Sequence, residues 1–284
     1  MLNKIVRQIC DGISAGLLIT IGCCVYLACD VKWVGAVLFS VALLTICIKG
    51  YSLYTGRIGF VLENANKDYF SALFLGLLGN VIATAVVGIA VQYAIPNLNT
   101  VANAMCAVKL DQIWWQTLIR GIMCGVLMYV AVAVYKEKKS VIGVLFAIPV
   151  FILSGFEHSI ADMGYFAIGG VYSAQAFGFI WLVILGNSVG ALILPALALC
   201  GKQIKKQSAK KSVSFENSFD TVQTVDAVSE EAVFTAQAFD EVKSVDATQQ
   251  VRTELTDGYG SRFDSESAAI EEAACNTEEV QNEG

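Results

Sequence analysis

Six long apolar segments follow one another along the first part of the chain. They cover residues 13–29, 34–49 with a continuation past Gly56, 69–91, 113–135, 141–154 with a continuation, and 175–200. A helix of about 20 apolar residues is long enough to cross a bilayer. The composition agrees, because 56% of the residues are hydrophobic and the mean hydropathy is +0.60. We therefore predict an all-α membrane protein with six transmembrane helices.

Charge divides the chain into two unlike parts. Residues 1–211 carry 16 Lys or Arg against 8 Asp or Glu, whereas residues 212–284 carry 3 against 17. We predict a transmembrane domain over residues 1–205 and an acidic tail over 206–284, whose composition is typical of disorder. Basic residues concentrate in alternate loops, so the positive-inside rule places both termini in the cytoplasm. The expected location is the cytoplasmic membrane, and the tail could bind a cytoplasmic partner.

Two of the six segments are interrupted by glycine and polar residues. The second breaks at residues 50–56 and the fifth at 154–159, which places Thr55, Glu157 and His158 where hydrocarbon is expected. These are the middle segments of two three-helix halves that would insert with opposite orientation. Broken helices in corresponding positions of an inverted repeat indicate a site near the membrane midplane, and ionisable groups at that depth usually face a cavity or a transport path. Helix N-termini at such breaks would favour anions.

Simpler interpretations exist for some of these residues. Glycines in membrane helices often only permit close packing, which suits Gly121, Gly125, Gly186 and Gly190. A single histidine is commonly a hydrogen-bonded core residue, but His158 stands at a helix break. Packing alone does not account for the polar residues gathered at both breaks.

Four motifs, in order, resemble those of the formate/nitrite transporter family. Ser-Gly-Phe-Glu-His-Ser at 154–159, continued by Ile-Ala-Asp-Met, is similar to its fifth-helix signature, and Leu-Tyr-Thr-Gly at 53–56 to its second-helix break. Lys109, followed by Gly121, resembles the lysine ahead of the fourth helix, and Gly-Asn-Ser-Val-Gly at 186–190 the sixth-helix motif. The resemblance extends from residue 1 to about 205.

The resemblance implies an aquaporin-like protomer in a homopentamer, with one narrow path per protomer for formate, nitrite or hydrosulfide. By position, the path would contain the polar residues Thr55, His158 and Asn187, with Lys109 at the outer vestibule. The implied constrictions are lined by Phe39 and Phe151 on the outer side and by Leu43, Leu53, Tyr54 and Met128 on the inner side. The chain departs from the family at Ser52, Gly125 and Lys49, where the family has glutamate, asparagine and a small or apolar residue. These departures bear on which anion is preferred.

The chemistry expected of such a path is anion attraction followed by proton-linked passage. Lys109 would raise the local anion concentration, Thr55 would orient the anion, and His158 could donate a proton or a hydrogen bond because histidine titrates near neutral pH. We expect Glu157 to hydrogen-bond exposed backbone at the break. Lys49 could pair with a carboxylate such as Glu157, or it could be an additional positive charge near the pore.

Other functions are less consistent with the residues present. A neutral-solute pore of the aquaporin type, the alternative within this fold, would be expected to carry paired Asn-Pro-Ala motifs, which neither break contains. A membrane enzyme built on His158 and Glu157 would lack a metal cluster or a nucleophile motif. We therefore expect no enzymatic activity, no cofactor, no metal and no nucleic-acid partner.

Overall fold

Ten helical elements position the site. The structure is a computed structural model in which residues 2–225 are described, and the site lies within the unit Met1–Lys206. The α-helices are α1 (Leu2–Ala28), α2 (Lys32–Lys49), α3 (Tyr54–Arg57), α4 (Lys67–Ala94), α5 (Pro96–Leu110), α6 (Trp114–Lys138), α7 (Ile142–Leu153), α8 (Ser159–Gly169) and α9 (Ala174–Val225), and a 3-10 turn covers Ile58–Phe60. In the described part of the chain the fold is therefore all-helical.

Five helices are long and apolar enough to cross a membrane: α1, α2, α4, α6 and, within α9, Ala174–Lys205. The fifth apolar segment of the sequence is divided between α7, a shorter apolar helix of 12 residues, and α8. The chain is a multi-pass membrane protein, as its hydropathy predicted. The helix α5 was not predicted, because residues 96–110 were interpreted as part of a loop.

Both interruptions fall where the sequence placed them, and a glycine forms each. Gly50, whose φ is 72°, caps the end of α2, and Gly155, whose φ is 69°, lies just beyond the end of α7. A side chain in this left-handed region is disfavoured for L-residues. Since a Cβ at either position would meet open space, the requirement for glycine is conformational.

Adding a methyl group at Gly155 is therefore expected to lower stability. We expect Gly155→Ala to cost about 1–2 kcal/mol, because alanine disfavours a left-handed backbone. Gly178→Ala is the matched control: it lies in helix α9, also with open space around a Cβ, and is expected to stabilise by about 0.5–1 kcal/mol. Thermal unfolding in detergent compares the two, and equal shifts would contradict the conformational argument.

Small residues bring α6 and α9 close together, as the packing interpretation of their glycines proposed. A Cβ at Gly186 would lie 2.8 Å from the Leu118 carbonyl oxygen. A Cβ at Gly125 or Gly190 would collide with the carbonyl of Asn187 or of Ile122. The packing role of these glycines is confirmed.

The predicted acidic tail begins at residue 206, and most of it, residues 226–284, lies outside the described part of the chain. Its disorder, its partner and the domain boundary remain predictions.

Candidate functional site

A buried hydrogen bond between the two breaks forms the centre of the site. Thr55 Oγ1 lies 2.8 Å from His158 Nε2, and the two residues are 1% and 3% exposed. Thr55 belongs to α3 and His158 immediately precedes α8. The His158 ring also stacks on Phe151, with 5.7 Å between ring centroids and 16° between ring planes. The two halves of the chain thus meet at a threonine and a histidine.

The second ring nitrogen of His158 determines where the ring carries its proton. Nδ1 accepts a hydrogen bond of 3.1 Å from the Ala161 backbone N–H and so caps the first turn of α8. A nitrogen that accepts carries no hydrogen, so the neutral imidazole holds its proton on Nε2. His158 therefore donates to Thr55, and the Thr55 hydroxyl hydrogen is left free for another acceptor.

Asn187 fixes the break between α7 and α8. Its Nδ2 donates to the carbonyl oxygens of Gly121 at 2.9 Å and Glu157 at 2.8 Å. Its Oδ1 accepts from the Ser159 N–H at 2.9 Å. Asn187 is 0% exposed, and its amide forms hydrogen bonds with backbone groups that lipid could not satisfy. The structure thus places this predicted path residue behind the break, as its support.

Asn80 supports the other break with the same arrangement. Its Nδ2 donates to the carbonyl oxygens of Gly12 at 2.8 Å and Ser52 at 2.9 Å, and its Oδ1 accepts from the Tyr54 N–H at 3.0 Å. Gly12, Ser52, Tyr54 and Asn80 in the first half correspond to Gly121, Glu157, Ser159 and Asn187 in the second. We call these two arrangements the asparagine clamps. The same three hydrogen bonds thus recur in the two halves of the chain, as a repeat predicts.

The clamps also change one expectation about anions. The N–H groups of Tyr54, Ser159 and Ala161, at the starts of α3 and α8, donate to Asn80, Asn187 and His158. These backbone donors are therefore occupied by side chains. The expectation that the helix starts favour anions is therefore not met by these three N–H groups.

A buried charged cluster lies next to His158. Lys109 Nζ, whose side chain is 14% exposed, contacts Glu157 Oε2 and lies 3.0 Å from Asp162 Oδ1. Gln112 Nε2 donates to Glu157 Oε1 at 2.7 Å. The Glu157 carboxylate therefore binds side chains, and not the exposed backbone as expected. The expected pairing of Lys49 with Glu157 is not found: Lys49 is exposed at the end of α2, and Lys109 contacts Glu157 instead.

One cavity is lined by this cluster, by His158 and by several aromatic residues. It has a volume of about 300 Å³, and we call it the Lys109 cavity. Phe39 and Phe151, predicted to constrict the path, line it together with His158 and Lys109. Arg120, Glu157 and Asp162 add further charged groups to its wall.

A second cavity, the Lys136 cavity, has a volume of about 280 Å³. Leu43 and Leu53, the predicted inner constriction, form part of its wall, together with the cations Arg57, Lys136 and Lys139. Lys49 is outside the lining of both cavities. Of the predicted polar path residues, His158 and Lys109 line the first cavity, whereas Thr55 and Asn187 line neither.

Two remaining constriction residues lie in the packed interior. Met128 is 1% exposed and belongs to the core cluster that contains Leu43 and Leu53. Tyr54 is half-buried, and its hydroxyl lies 2.8 Å from Ser188 Oγ on α9. Neither residue lines either cavity.

The sequence did not indicate that Asn80 and Gln112 belong to the site, or that Asp162 lines the Lys109 cavity. Asn80 could have been found by aligning the two halves, since a polar residue follows each break on the next long helix. Gln112 gave no such signal, because it lies outside the apolar segments.

One cavity reaches His158 of the buried polar pair, and a second reaches Leu53 and Gly56 on either side of Tyr54 and Thr55. Cavities at the breaks of broken membrane helices are typical of membrane transport proteins. The family model described as formate/nitrite transporter matches residues 2–201. The chain belongs to the formate/nitrite transporter family.

Solved structures share this fold. The chain is similar to an FNT family ion channel, with 21% identity and a TM-score of 0.61 over 71% of this chain and 90% of the other. It is also similar to a pentameric formate channel with formate bound, with 22% identity and a TM-score of 0.57 over 70% and 98% of the two chains. Comparison with curated protein sequences finds no match for this chain.

Proposed function

We propose that this protein is a channel for small monovalent anions, with formate the first candidate and nitrite and hydrosulfide the others. The observation that carries the proposal is the Thr55–His158 pair, which leaves a hydroxyl hydrogen free. His158 lines one cavity whose wall holds cations, and Gly56, next to Thr55, lines another. Family membership supports a transport function. The similar pentameric channel is known with formate bound.

Electrostatics brings the anion into either cavity. Lys109 and Arg120 face one cavity, and Arg57, Lys136 and Lys139 face the other. Cations along a cleft with low-dielectric walls raise the local concentration of an anion. Apolar residues then narrow the way: Phe39 and Phe151 on one side, Leu43 and Leu53 on the other. A hydrated ion does not pass such a constriction readily, because nothing there compensates for its lost water.

The central pair supplies one directed hydrogen bond in this apolar surrounding. Because His158 Nε2–H donates to Thr55 Oγ1, the Thr55 hydroxyl must give its own hydrogen to a third group. A carboxylate or nitrite oxygen accepts such a hydrogen, whereas a cation does not. We assign His158 the role of orienting this donor. A role as proton donor would need a proton on Nδ1 as well, and that would break the cap on α8.

Assembly and topology complete the proposal. We propose a homopentamer in the cytoplasmic membrane, with both termini in the cytoplasm. The support is the pentameric state of the similar formate channel and the basic residues in alternate loops. On this orientation the Lys109 cavity opens to the outside and the Lys136 cavity to the cytoplasm.

Flux through reconstituted channels tests the central pair. We expect Thr55→Val and His158→Asn to reduce formate flux in proteoliposomes by about tenfold or more, because a hydrogen bond to a charged group contributes about 1.5–3 kcal/mol. Asparagine can still cap α8, so the second variant keeps the helix start. Thr45→Val is the matched control, since the Thr45 hydroxyl bonds only the Val41 carbonyl of its own helix.

Competition between formate, nitrite and hydrosulfide, measured at two pH values, identifies the preferred anion. The proposal is overturned if the wild-type protein conducts glycerol or water while moving none of these anions. Unchanged flux in both central variants would refute the role of the Thr55–His158 pair.

A further inference from the structure

Asp162 is a buried carboxyl group with one oxygen that nothing satisfies. The residue is 1% exposed, and Oδ1 lies 3.0 Å from Lys109 Nζ. Oδ2 has no hydrogen-bond partner among the described residues. The only other buried side-chain atom in this state there is Ser159 Oγ, and Ser159 does not line the Lys109 cavity, whereas Asp162 does. Buried polar atoms without a partner are rare and call for an explanation.

The neighbouring carboxylate shows a different arrangement. Both oxygens of Glu157 are held by donors, Oε2 by Lys109 and Oε1 by Gln112. Glu157 is therefore the ionised member that balances the Lys109 ammonium. A second buried carboxylate would be left without a counter-charge of its own, and an uncompensated buried charge is strongly unfavourable. The cluster is neutral when one proton resides on Asp162.

The charge on the whole cavity wall supports the same assignment. Its described ionisable groups are Lys109, Arg120, Glu157 and Asp162, besides His158, Tyr26 and Tyr165. With both carboxyl groups ionised, the four charges cancel and the wall offers an anion no net attraction. With Asp162 neutral, the wall carries one net positive charge. The protonated state is the one that receives an anion.

Few other groups near Asp162 can change charge. The remaining titratable groups are the thiols of Cys23, Cys106 and Cys124, on α1, α5 and α6, and the phenol of Tyr165, on α8 itself. These groups are ordinarily uncharged at neutral pH. Helix α4, which also packs against α8, contributes the buried residues Asn80 and Thr84, which do not titrate. From α3, Arg57 lines the other cavity. Lys109 and Glu157 are thus the charges that Asp162 meets directly.

We propose that Asp162 is the proton-donating residue of the anion path, holding a proton on Oδ2 and giving it to the anion in the Lys109 cavity. The inference rests on the proposed anion transport. The O–H bond of Asp162 breaks and an O–H bond to formate forms, so that formic acid and an Asp162 carboxylate result. The uncharged acid passes the apolar constriction, and the Asp162 carboxylate, which only shares the Lys109 ammonium with Glu157, readily takes up a proton again. A hydronium ion from the solution on that side returns the proton to Asp162.

The contacts of His158 and Asp162 favour different roles for the two residues. The hydrogen of His158 Nε2 is engaged by Thr55, whereas the free oxygen of Asp162 belongs to a residue that lines the cavity. Asp162 would therefore donate the proton, and the Thr55–His158 pair would orient the anion.

Proteoliposomes with an internal pH dye and labelled formate test the proposal. In the wild-type protein, formate influx should acidify the lumen beyond the background of protein-free liposomes, and influx should rise as the external pH falls. Asp162→Asn keeps the shape and the oxygen near Lys109 but cannot carry the proton. We expect it to lose formate-driven acidification at least tenfold and to flatten the pH profile. Asp111→Asn, an exposed carboxylate just beyond Lys109, should behave like the wild type.

The outcomes separate the two proposals. If Asp162→Asn retains wild-type acidification and pH profile, Asp162 is not the donor, although anion transport stands. If the wild-type protein moves no anion above background, the proposed function fails and the inference fails with it.

Infrared spectroscopy gives a second measurement that needs no flux. Wild-type protein with carboxyl-13C aspartate should show, at neutral pH, a protonated carboxyl band that shifts on labelling, because Asp162 is the one buried aspartate in residues 2–205. Absence of the band would overturn the proposal even if Asp162→Asn failed to assemble. Where that variant assembles, it should lack the band and Asp111→Asn should keep it.

Discussion

Replacing Lys109 with methionine is expected to destabilise the protein by about 3–5 kcal/mol, the cost of removing one partner from a buried ion pair. Methionine fills a similar volume, but the Glu157 carboxylate, 2% exposed, would lose its counter-charge. Thermal unfolding in detergent measures the change, and formate flux should fall below detection. Lys4→Met is the matched control, because the Lys4–Asp68 pair spans 2.9 Å with side chains 55% and 81% exposed. Surface pairs contribute at most about 1 kcal/mol.

A double variant distinguishes lost charge balance from lost volume. Lys109→Met combined with Glu157→Gln removes both charges, and we expect it to recover part of the lost stability. It should not recover flux, since the Lys109 ammonium, which contacts both Glu157 and Asp162 in the cavity, is still missing. A double variant less stable than Lys109→Met would contradict the charge argument.

The asparagine clamps are expected to show the second large effect. Asn187→Ala leaves two carbonyl oxygens and one N–H without partners in the membrane interior, at about 1–3 kcal/mol for each unsatisfied group. We expect a loss of several kcal/mol and poor recovery of assembled protein in size-exclusion chromatography. Asn80→Ala should behave in the same way, because each of the three hydrogen bonds of Asn80 has a counterpart among those of Asn187.

Asn66→Ala serves as the control for both clamp variants. Asn66 caps α4 through a single bond of 2.8 Å to the Tyr69 N–H at an exposed position, and loss of such a cap costs about 1 kcal/mol. Clamp variants no less stable than Asn66→Ala would show that the breaks are held by other means.

Much of the site could be predicted because the residues that indicate it are close together in the sequence. Polar residues inside apolar segments, with a glycine on one side, indicated both breaks and placed Thr55 and His158 there. The membrane class followed from hydropathy, and the four motifs indicated the family that the comparison shows. The positions of Phe39, Phe151, Leu43 and Leu53 at the two cavities agree with the implied constrictions, whose gating roles remain predictions.

The remaining features depend on contacts between residues distant in sequence. Asn80 resembles any polar residue in a long apolar helix until Gly12 and Ser52, far away in the chain, supply its partners. The charged cluster gathers Lys109 from α5, Glu157 from the break and Asp162 from α8. Helix α5 itself was overlooked because a short, moderately polar helix between two spans does not differ in composition from a loop.

The asparagine clamps bear on how this chain reaches its native state during synthesis. Every group in the first clamp lies between Gly12 and Asn80, and every group in the second between Gly121 and Asn187. Each half can therefore complete its own irregular backbone before the other half is present, so neither break has to wait exposed to lipid. The bond between Thr55 and His158 joins residues of the two halves, so it can form only after the second half has been synthesised. The central hydroxyl can therefore acquire its orientation only once both breaks are present in the chain.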